Sequence, residues 1–228
     1  MTKLTQAIAL ATAMTAGLAA TATTQAEVSA SVDIASSYLY RGTSLSDGEA
    51  VVSGSLDYGH ESGVYVGAWA SSGDTTNGSE YDIYFGFAGE AGVLSYDIGY
   101  ASYIYPSQSE EAVADTTNNI TATKDELGDV TELYLNLSAA GVDFSTYFND
   151  NGGDYIYNSV GYGVDKFYGL VGVTTDLEDD GKGAYTHMDV SYAYNDNITF
   201  TASKIVAQSS GNSGASPQFV VSYSLPIE

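Results

Sequence analysis

After residue 26 the chain alternates polar and apolar positions with a period of two in about twelve short runs. That period belongs to a β-strand with one apolar face. In Val28–Tyr40 the apolar set is Val28, Ala30, Val32, Ile34, Tyr38 and Tyr40, opposite Ser29, Ser31, Asp33, Ala35 and Ser37, with Leu39. In Ala50–Tyr58, Val52, Leu56 and Tyr58 oppose Ser53, Ser55 and Asp57; in Glu80–Ala88, Tyr81, Ile83, Phe85 and Phe87 oppose Glu80, Asp82 and Tyr84. In Val93–Tyr105, Leu94, Tyr96, Ile98, Tyr100 and Ile104 oppose Ser95, Asp97, Gly99 and Ala101. Further on, Leu133, Leu135 and Leu137 oppose Glu132, Tyr134 and Asn136, and Val142, Phe144 and Phe148 oppose Asp143, Ser145 and Tyr147. Met188, Val190, Tyr192 and Tyr194 oppose His187, Asp189 and Ser191. Ile198, Phe200 and Ala202 oppose Thr199, Thr201 and Ser203, and Phe219, Val221, Tyr223 and Leu225 oppose Val220, Ser222 and Ser224. Val64–Ser72, Tyr155–Val164 and Phe167–Thr175 mix Gly, Ala, Val and Tyr on both faces, and their orientation stays open.

The connections alternate as well. Long acidic stretches (Arg41–Gly48, Gly73–Ser79, Pro106–Gly128, Asn149–Gly153, Asp176–Gly183, Ser209–Ser216) take turns with tight ones (His60–Gly63, Gly89–Gly92, Ala139–Gly141, Asp165–Lys166, Asn195–Asn197). A transmembrane antiparallel up-and-down β-barrel has this layout, with long loops on one side of the bilayer and short turns on the other. The runs have the length a tilted strand needs to cross. Tyrosines near run ends (Tyr38, Tyr40, Tyr58, Tyr65, Tyr81, Tyr100, Tyr103, Tyr105, Tyr192, Tyr194) fit interfacial girdles, where the ring is apolar and the hydroxyl wet. The expected fold is therefore all-β: a twelve-stranded barrel, both mature termini on the short-turn side. The outward face would carry Leu94, Ile98, Leu133, Leu135, Phe144, Val190, Phe200, Phe219 and Val221 into lipid. An exported soluble β domain is the other architecture that one apolar face per strand allows.

The leader adds a compartment. Lys3 precedes an uncharged Ala/Thr/Leu-rich stretch, Leu4 to Ala22, closed by Thr24-Gln25-Ala26. This is the layout of a secretory signal peptide over residues 1–26, with cleavage after Ala26 or, as second choice, Ala22. Residues 27–228 then form one barrel domain. Losing Lys3 takes the formal net charge from −23 to −24, which excludes nucleic-acid binding, since phosphate contacts need clustered Lys and Arg. Cysteine is absent, so neither a disulfide framework nor thiolate chemistry is available.

Charge also marks the candidate site. Asp33, Asp57, Asp82, Asp97, Glu132, Asp143 and Asp189 fall on polar faces, and few bases are at hand to neutralise them. If that face is a lumen, the acids line a pore and favour cations. Asp33, Asp57, Asp97, Asp143 and Asp189 would form a loose ring in the half nearer the short turns. The alternative is that the acids pair with Tyr and Ser hydroxyls and plug the barrel. It would then be a closed structural or interaction protein whose acidic loops meet a partner, or divalent ions bridging lipopolysaccharide phosphates.

Catalytic and metal readings are thin. His187 and Asp189 share a face, and Ser191 or Ser203 could complete a triad, but no nucleophile-elbow motif accompanies them. Two distant histidines make no zinc site. The oxygen-rich 176–181 and 149–154 lack the spacing of a calcium loop. Neither a metal nor a cofactor is expected.

Two stretches carry a family resemblance: VDIASSYLYRGTSLSDGEAVVSGSLDYGHESGVYVGAWASS within Ser31–Ser72, and SEYDIYFGFAGEAGVLSYDIGYASYIYP over Ser79–Pro106, with VSYSLP near the end. They resemble the TorF-type porin family of Gram-negative bacteria. The resemblance implies an outer-membrane barrel acting as a pore, and brings no catalytic residue. Outer-membrane barrels commonly end in an aromatic residue read by the barrel-assembly machinery. This chain ends Tyr223-Ser224-Leu225-Pro226-Ile227-Glu228, which leaves Tyr223 with Leu225 as the expected signal.

Overall fold

Strand chemistry dominates the molecule, and the strands close on one another. The computed structural model describes residues 26–75, 78–106, 130–151, 155–177, 183–209 and 216–227. The elements are β1 (Glu27–Ala35), β2 (Leu39–Tyr40), β3 (Thr43–Ser44), β4 (Val51–Gly59), β5 (Val64–Asp74), β6 (Gly78–Ala91) and β7 (Leu94–Ile104). They continue with β8 (Val130–Ala139), β9 (Val142–Asn151), β10 (Tyr155–Val164), β11 (Phe167–Asp176), β12 (Tyr185–Ala193), β13 (Ile198–Gln208) and β14 (Gln218–Ile227). Twelve of them, all but β2 and β3, form a closed antiparallel barrel in the order β1-β14-β13-β12-β11-β10-β9-β8-β7-β6-β5-β4. The seam pairs Ala30 with Ile227 through Ala35 with Ser222. Closure leaves none of these strands an unpaired edge, which is how such a sheet avoids edge-to-edge association.

Tight turns set the register at one end. Ala140 and Gly141 both have positive φ (52° and 82°), the type I′ geometry that matches strand twist, and Ala139 pairs with Val142 across them. Ala91 pairs with Leu94, so the turn there is Gly92-Val93, and β6 runs further than the expected Gly89–Gly92 turn allowed. Glu27 pairs with Gly59 beside the His60–Gly63 turn, and both described chain ends therefore lie at the short-turn end.

One expected strand is shorter than its alternation suggested. Pairing of β1 stops at Ala35, and Ser36 makes a last pair of bonds with Val221 of β14 (2.9 and 3.0 Å). The chain then turns into the barrel instead of continuing to Tyr40. Leu39-Tyr40 and Thr43-Ser44 pair as a small hairpin, β2–β3, joined by Arg41 and Gly42. Both turn residues have positive φ (46° and 85°), again type I′ geometry. A Cβ on Gly42 would stand 2.5 Å from His187 Cβ on β12, so only glycine lets the tip approach that wall. The hairpin springs from between β1 and β4 and reaches β8 to β12, on the opposite side of the ring.

The outer surface is apolar. Val28, Leu56, Val66, Phe85, Ile98, Leu133, Val160, Val190, Phe219 and Leu225 are exposed on it. The inner surface carries the tyrosines and the polar side chains, including Tyr65, Tyr84, Tyr134, Tyr157, Asp97, Glu132 and His187, all buried. The three runs left open by the sequence orient with Tyr65, Trp69, Tyr155, Tyr157, Tyr168 and Leu170 inward. Their partners Val64, Val66, Val160, Tyr162, Phe167 and Val171 are outward and exposed. No described helix is long and apolar enough to cross a membrane.

Candidate functional site

The lumen is the candidate site, and its two halves are built differently. The half nearer the long loops is narrowed by the β2–β3 hairpin, which packs against the wall. Leu39, Tyr38, Val51, Ala35 and Val220 pack together there, with Tyr40, Leu45 and Trp69 against them. The hairpin base is tied by Ser37 Oγ to Ser44 Oγ (2.8 Å) and by Tyr38 N–H donating to Ser46 Oγ (2.8 Å). Thr75 binds Leu45 O with both its N–H (2.9 Å) and its hydroxyl (3.0 Å). Tyr38 donates its hydroxyl to Glu80 Oε2 on β6 (2.8 Å). Burial, with the Glu80 charge added to it, pushes the Tyr38 phenol well above its ordinary range, so it remains a donor.

At the tip, Arg41 is 2% exposed and Glu132 on β8 is 0% exposed. The guanidinium forms two parallel bonds to the carboxylate, Nη1 to Oε1 at 2.8 Å and Nη2 to Oε2 at 2.9 Å. This fork-to-fork arrangement is the strongest geometry an ion pair adopts. Tyr155 and Tyr103 donate to the same carboxylate at 2.6 and 2.7 Å, which fixes it from both sides. Four rings surround the guanidinium carbon: Tyr157 at 4.4 Å, Tyr40 and Tyr147 at 4.7 Å, and Tyr155 at 5.6 Å. A cation among ring faces is attracted by their quadrupoles, more so when water is excluded. Register shifts on β8–β9 at Thr131/Glu132 and on β12–β13 at Thr186/His187 lie beside two of the residues that meet the hairpin. Bulges of this sort re-aim side chains.

Tyrosine hydroxyls meet the remaining acids. Tyr65 donates to Asp97 (2.6 Å) and sits 2.5 Å from the Tyr134 hydroxyl, while Asn136 donates to the other Asp97 oxygen (3.1 Å). Tyr84 bonds to Asp57, and Tyr168 to Asp143 at 3.1 Å. Several of these rings lie over glycines of neighbouring strands, as Tyr84 does over Gly67, Tyr134 over Gly99 and Tyr168 over Gly161, where a Cβ would collide with the ring. His187 Nδ1 is 3.0 Å from Asp189, and Nε2 is 3.0 Å from the Tyr157 hydroxyl. The triad suggested by sequence therefore does not assemble: the nitrogen that would face a serine faces Tyr157, and Ser191 Oγ is 2.9 Å from Thr201 Oγ1.

The seven sequence-predicted acids all project inward, at different depths. Asp82 and Glu132 lie buried in the half that holds the hairpin, Asp97 and Asp189 are buried further down, and Asp33, Asp57 and Asp143 keep partial solvent contact. The nine residues expected to meet lipid are all on the outer face. Ile98, Leu133, Phe144, Val190, Phe200, Phe219 and Val221 are exposed there, and Leu94 and Leu135 half-exposed. The girdle expectation needs correction at Tyr38, Tyr65 and Tyr103, which are buried inside, and at Tyr40 and Tyr105, which pack against the inner clusters. Tyr58, Tyr81 and Tyr194 are exposed on the outside. Among the described residues no group of His, Cys, Asp and Glu is arranged to hold a metal ion. The 107–129 stretch, most of the 176–181 segment and the leader lie outside the described residues.

The sequence matches the Gcw_chp family model, described as "Bacterial protein of unknown function", over residues 19–209. The family that the match shows is Gcw_chp, and the TorF-type naming expected from the sequence is not confirmed by it. No curated protein is significantly similar to the chain. Among solved structures, a mutant of the Rh. blastica porin is 13% identical, covering 77% of this chain and 55% of that one, with a TM-score of 0.45. This chain thus spans little more than half of that porin. A KdgM porin, solved in complex with disordered oligogalacturonate, is 6% identical over 89% of this chain and 99% of that one, TM-score 0.45. The COG4313 outer membrane channel from Pseudomonas putida F1 is 10% identical over 92% and 97%, TM-score 0.44.

Proposed function

Since the chain belongs to the Gcw_chp family of bacterial proteins of unknown function, we propose a role from its geometry: an outer-membrane channel for small solutes, narrowed by the β2–β3 hairpin and preferring cations. One observation carries this reading. The barrel is inside-out, with exposed Phe, Ile, Leu and Val around the outside and Asp, Glu, His and Tyr within. In water such an outer surface would drive aggregation; in a bilayer it is the lipid-facing belt, with the polar face lining the lumen. The nine outward residues named above are the proposed lipid contacts.

Cation preference follows from the half-solvated Asp33, Asp57 and Asp143. Fixed negative charge in a narrow passage repels anions over about 8–10 Å at physiological salt. The export leader, lipopolysaccharide contact through the acidic loops and recognition of Tyr223 with Leu225 by the assembly machinery belong to the same reading.

The test is single-channel recording of the purified protein in planar bilayers across a KCl gradient. Small conductance steps with a cation-selective reversal potential are expected. The hairpin across the lumen favours a second reading, a closed structural barrel, and complete silence in the bilayer would establish it in place of the first.

A further inference from the structure

We propose that the pocket holding Arg41 is a binding site for guanidinium-bearing solutes, and that the hairpin's own arginine occupies it as an internal stand-in. This rests on reading the lumen as a solute path. Apart from Tyr40, the pocket belongs to the barrel wall: Tyr103 on β7, Glu132 on β8, Tyr147 on β9, and Tyr155 and Tyr157 on β10. These residues supply what a planar cation asks for. Both Glu132 oxygens face the guanidinium at 2.8 and 2.9 Å. Tyr103 and Tyr155 hold that carboxylate in place. Tyr147 and Tyr157 offer ring faces at 4.7 and 4.4 Å.

The hairpin contributes little beyond the guanidinium itself. Arg41 sits at the first position of a type I′ turn, with φ 46°, a place that favours Asn, Asp or Gly. Its side chain therefore answers to the pocket and not to the turn. With the hairpin in place but the Arg41 side chain removed, Glu132 would face a ring-lined space with no counter-charge, a state that strongly favours a replacement cation. A solute entering from the long-loop end would meet Glu132 and the ring faces, and would compete with Arg41 for them.

The experiment uses the full-length protein, folded in detergent, with methylguanidinium as probe. Arg41→Asn removes the resident group and keeps a residue suited to the turn. The variant should bind methylguanidinium at millimolar concentration by calorimetry, and the ligand should raise its unfolding midpoint by several degrees. Methylammonium should bind roughly tenfold more weakly, because it cannot make the forked pair. The parent, with its pocket filled, and the double variant Arg41→Asn, Glu132→Gln should show neither effect. Equal binding by parent, single and double variants, or no binding by a folded Arg41→Asn protein, overturns the site. Should Arg41→Asn fail to fold, refolding restored by methylguanidinium but not by methylammonium supports the site, and no restoration overturns it. Bilayer recording separates this from the channel reading. Binding without conductance in either protein refutes the channel and keeps the site, whereas conductance without binding does the reverse.

Discussion

The two halves of the lumen handle negative charge in opposite ways. Toward the long loops, Glu132 is fully buried, and it is tolerated because Arg41 and two tyrosines answer it with four hydrogen bonds. Toward the short turns, Asp33, Asp57 and Asp143 keep water as a partner and need only a serine or a tyrosine hydroxyl beside them. Glu132 is thus a structural lock, whereas Asp33, Asp57 and Asp143 are partly solvated charges; Asp97 and Asp189, buried between them, are held by Tyr65, Asn136 and His187. Burial decides which, since a carboxylate taken out of water must be paired in full or give up its charge.

The comparison is broken most sharply at its locked end. Glu132→Ala would leave Arg41 buried without a counter-charge, at a cost of about 3–5 kcal/mol. Urea unfolding in lipid vesicles reads this directly, and a loss as small as that of Asp143→Ala would show that the two halves do not differ. Asp143 itself, half-buried beside one tyrosine hydroxyl, should cost no more than about 1 kcal/mol when truncated.

Next in size is the outer face, which both halves share. Leu135→Arg should lose about 2–4 kcal/mol in vesicles if that surface meets lipid at mid-depth. An unchanged folding free energy would place the belt in water.

Tyr38→Phe tests how much the hairpin base adds to the tip. It removes a buried hydroxyl from Glu80 and should cost about 1–3 kcal/mol. It should also increase the conductance measured in bilayers if the hairpin narrows the path, and equal conductance would separate anchoring from narrowing. The smallest effect on folding belongs to the solvated end. Asp33→Asn, Asp57→Asn and Asp143→Asn together should leave stability nearly unchanged and move the reversal potential toward zero. An unmoved potential would assign selectivity elsewhere.

Most of the barrel was legible because nine of its twelve strands have one face that cannot be mistaken, whereas Val64–Ser72, Tyr155–Val164 and Phe167–Thr175 carry Gly, Ala, Val and Tyr on both faces and needed the fold to orient them. A run such as Ile98 beside Asp97 and Gly99 permits one orientation, and the connection parity then dictates twelve strands. The hairpin was not legible in that way, because a type I′ tip flanked by Tyr40 and Thr43 alternates like the strand before it. The signals lay in departures from the pattern. Ser36 falls on the apolar face of β1, Leu39 on the polar one, and Arg41-Gly42 is a two-residue turn carrying one of the chain's six bases. The tyrosines misled for a different reason. Tyr suits both an interface, through ring and hydroxyl, and a lumen rich in carboxylates. Only register separates Tyr65, which meets Asp97, from Tyr58, which is exposed outside. Glu132 could be assigned to the polar face, but its partner 91 positions upstream in sequence could not be named without the fold.

The Arg41 clasp also bears on the order in which the chain closes. The seam joins Ala30 to Ile227, a separation roughly twice that between Arg41 and Glu132, so ring closure costs about 0.6 kcal/mol more loop entropy than the clasp. By the time β8 has paired with β7, Glu80, which accepts from Tyr38, and two of the five wall residues around Arg41, Tyr103 and Glu132, are in place, while the last strands are still free. Chain statistics alone therefore favour a half-built sheet gripping the hairpin first, with the final strands wrapping around cargo the protein has loaded into itself.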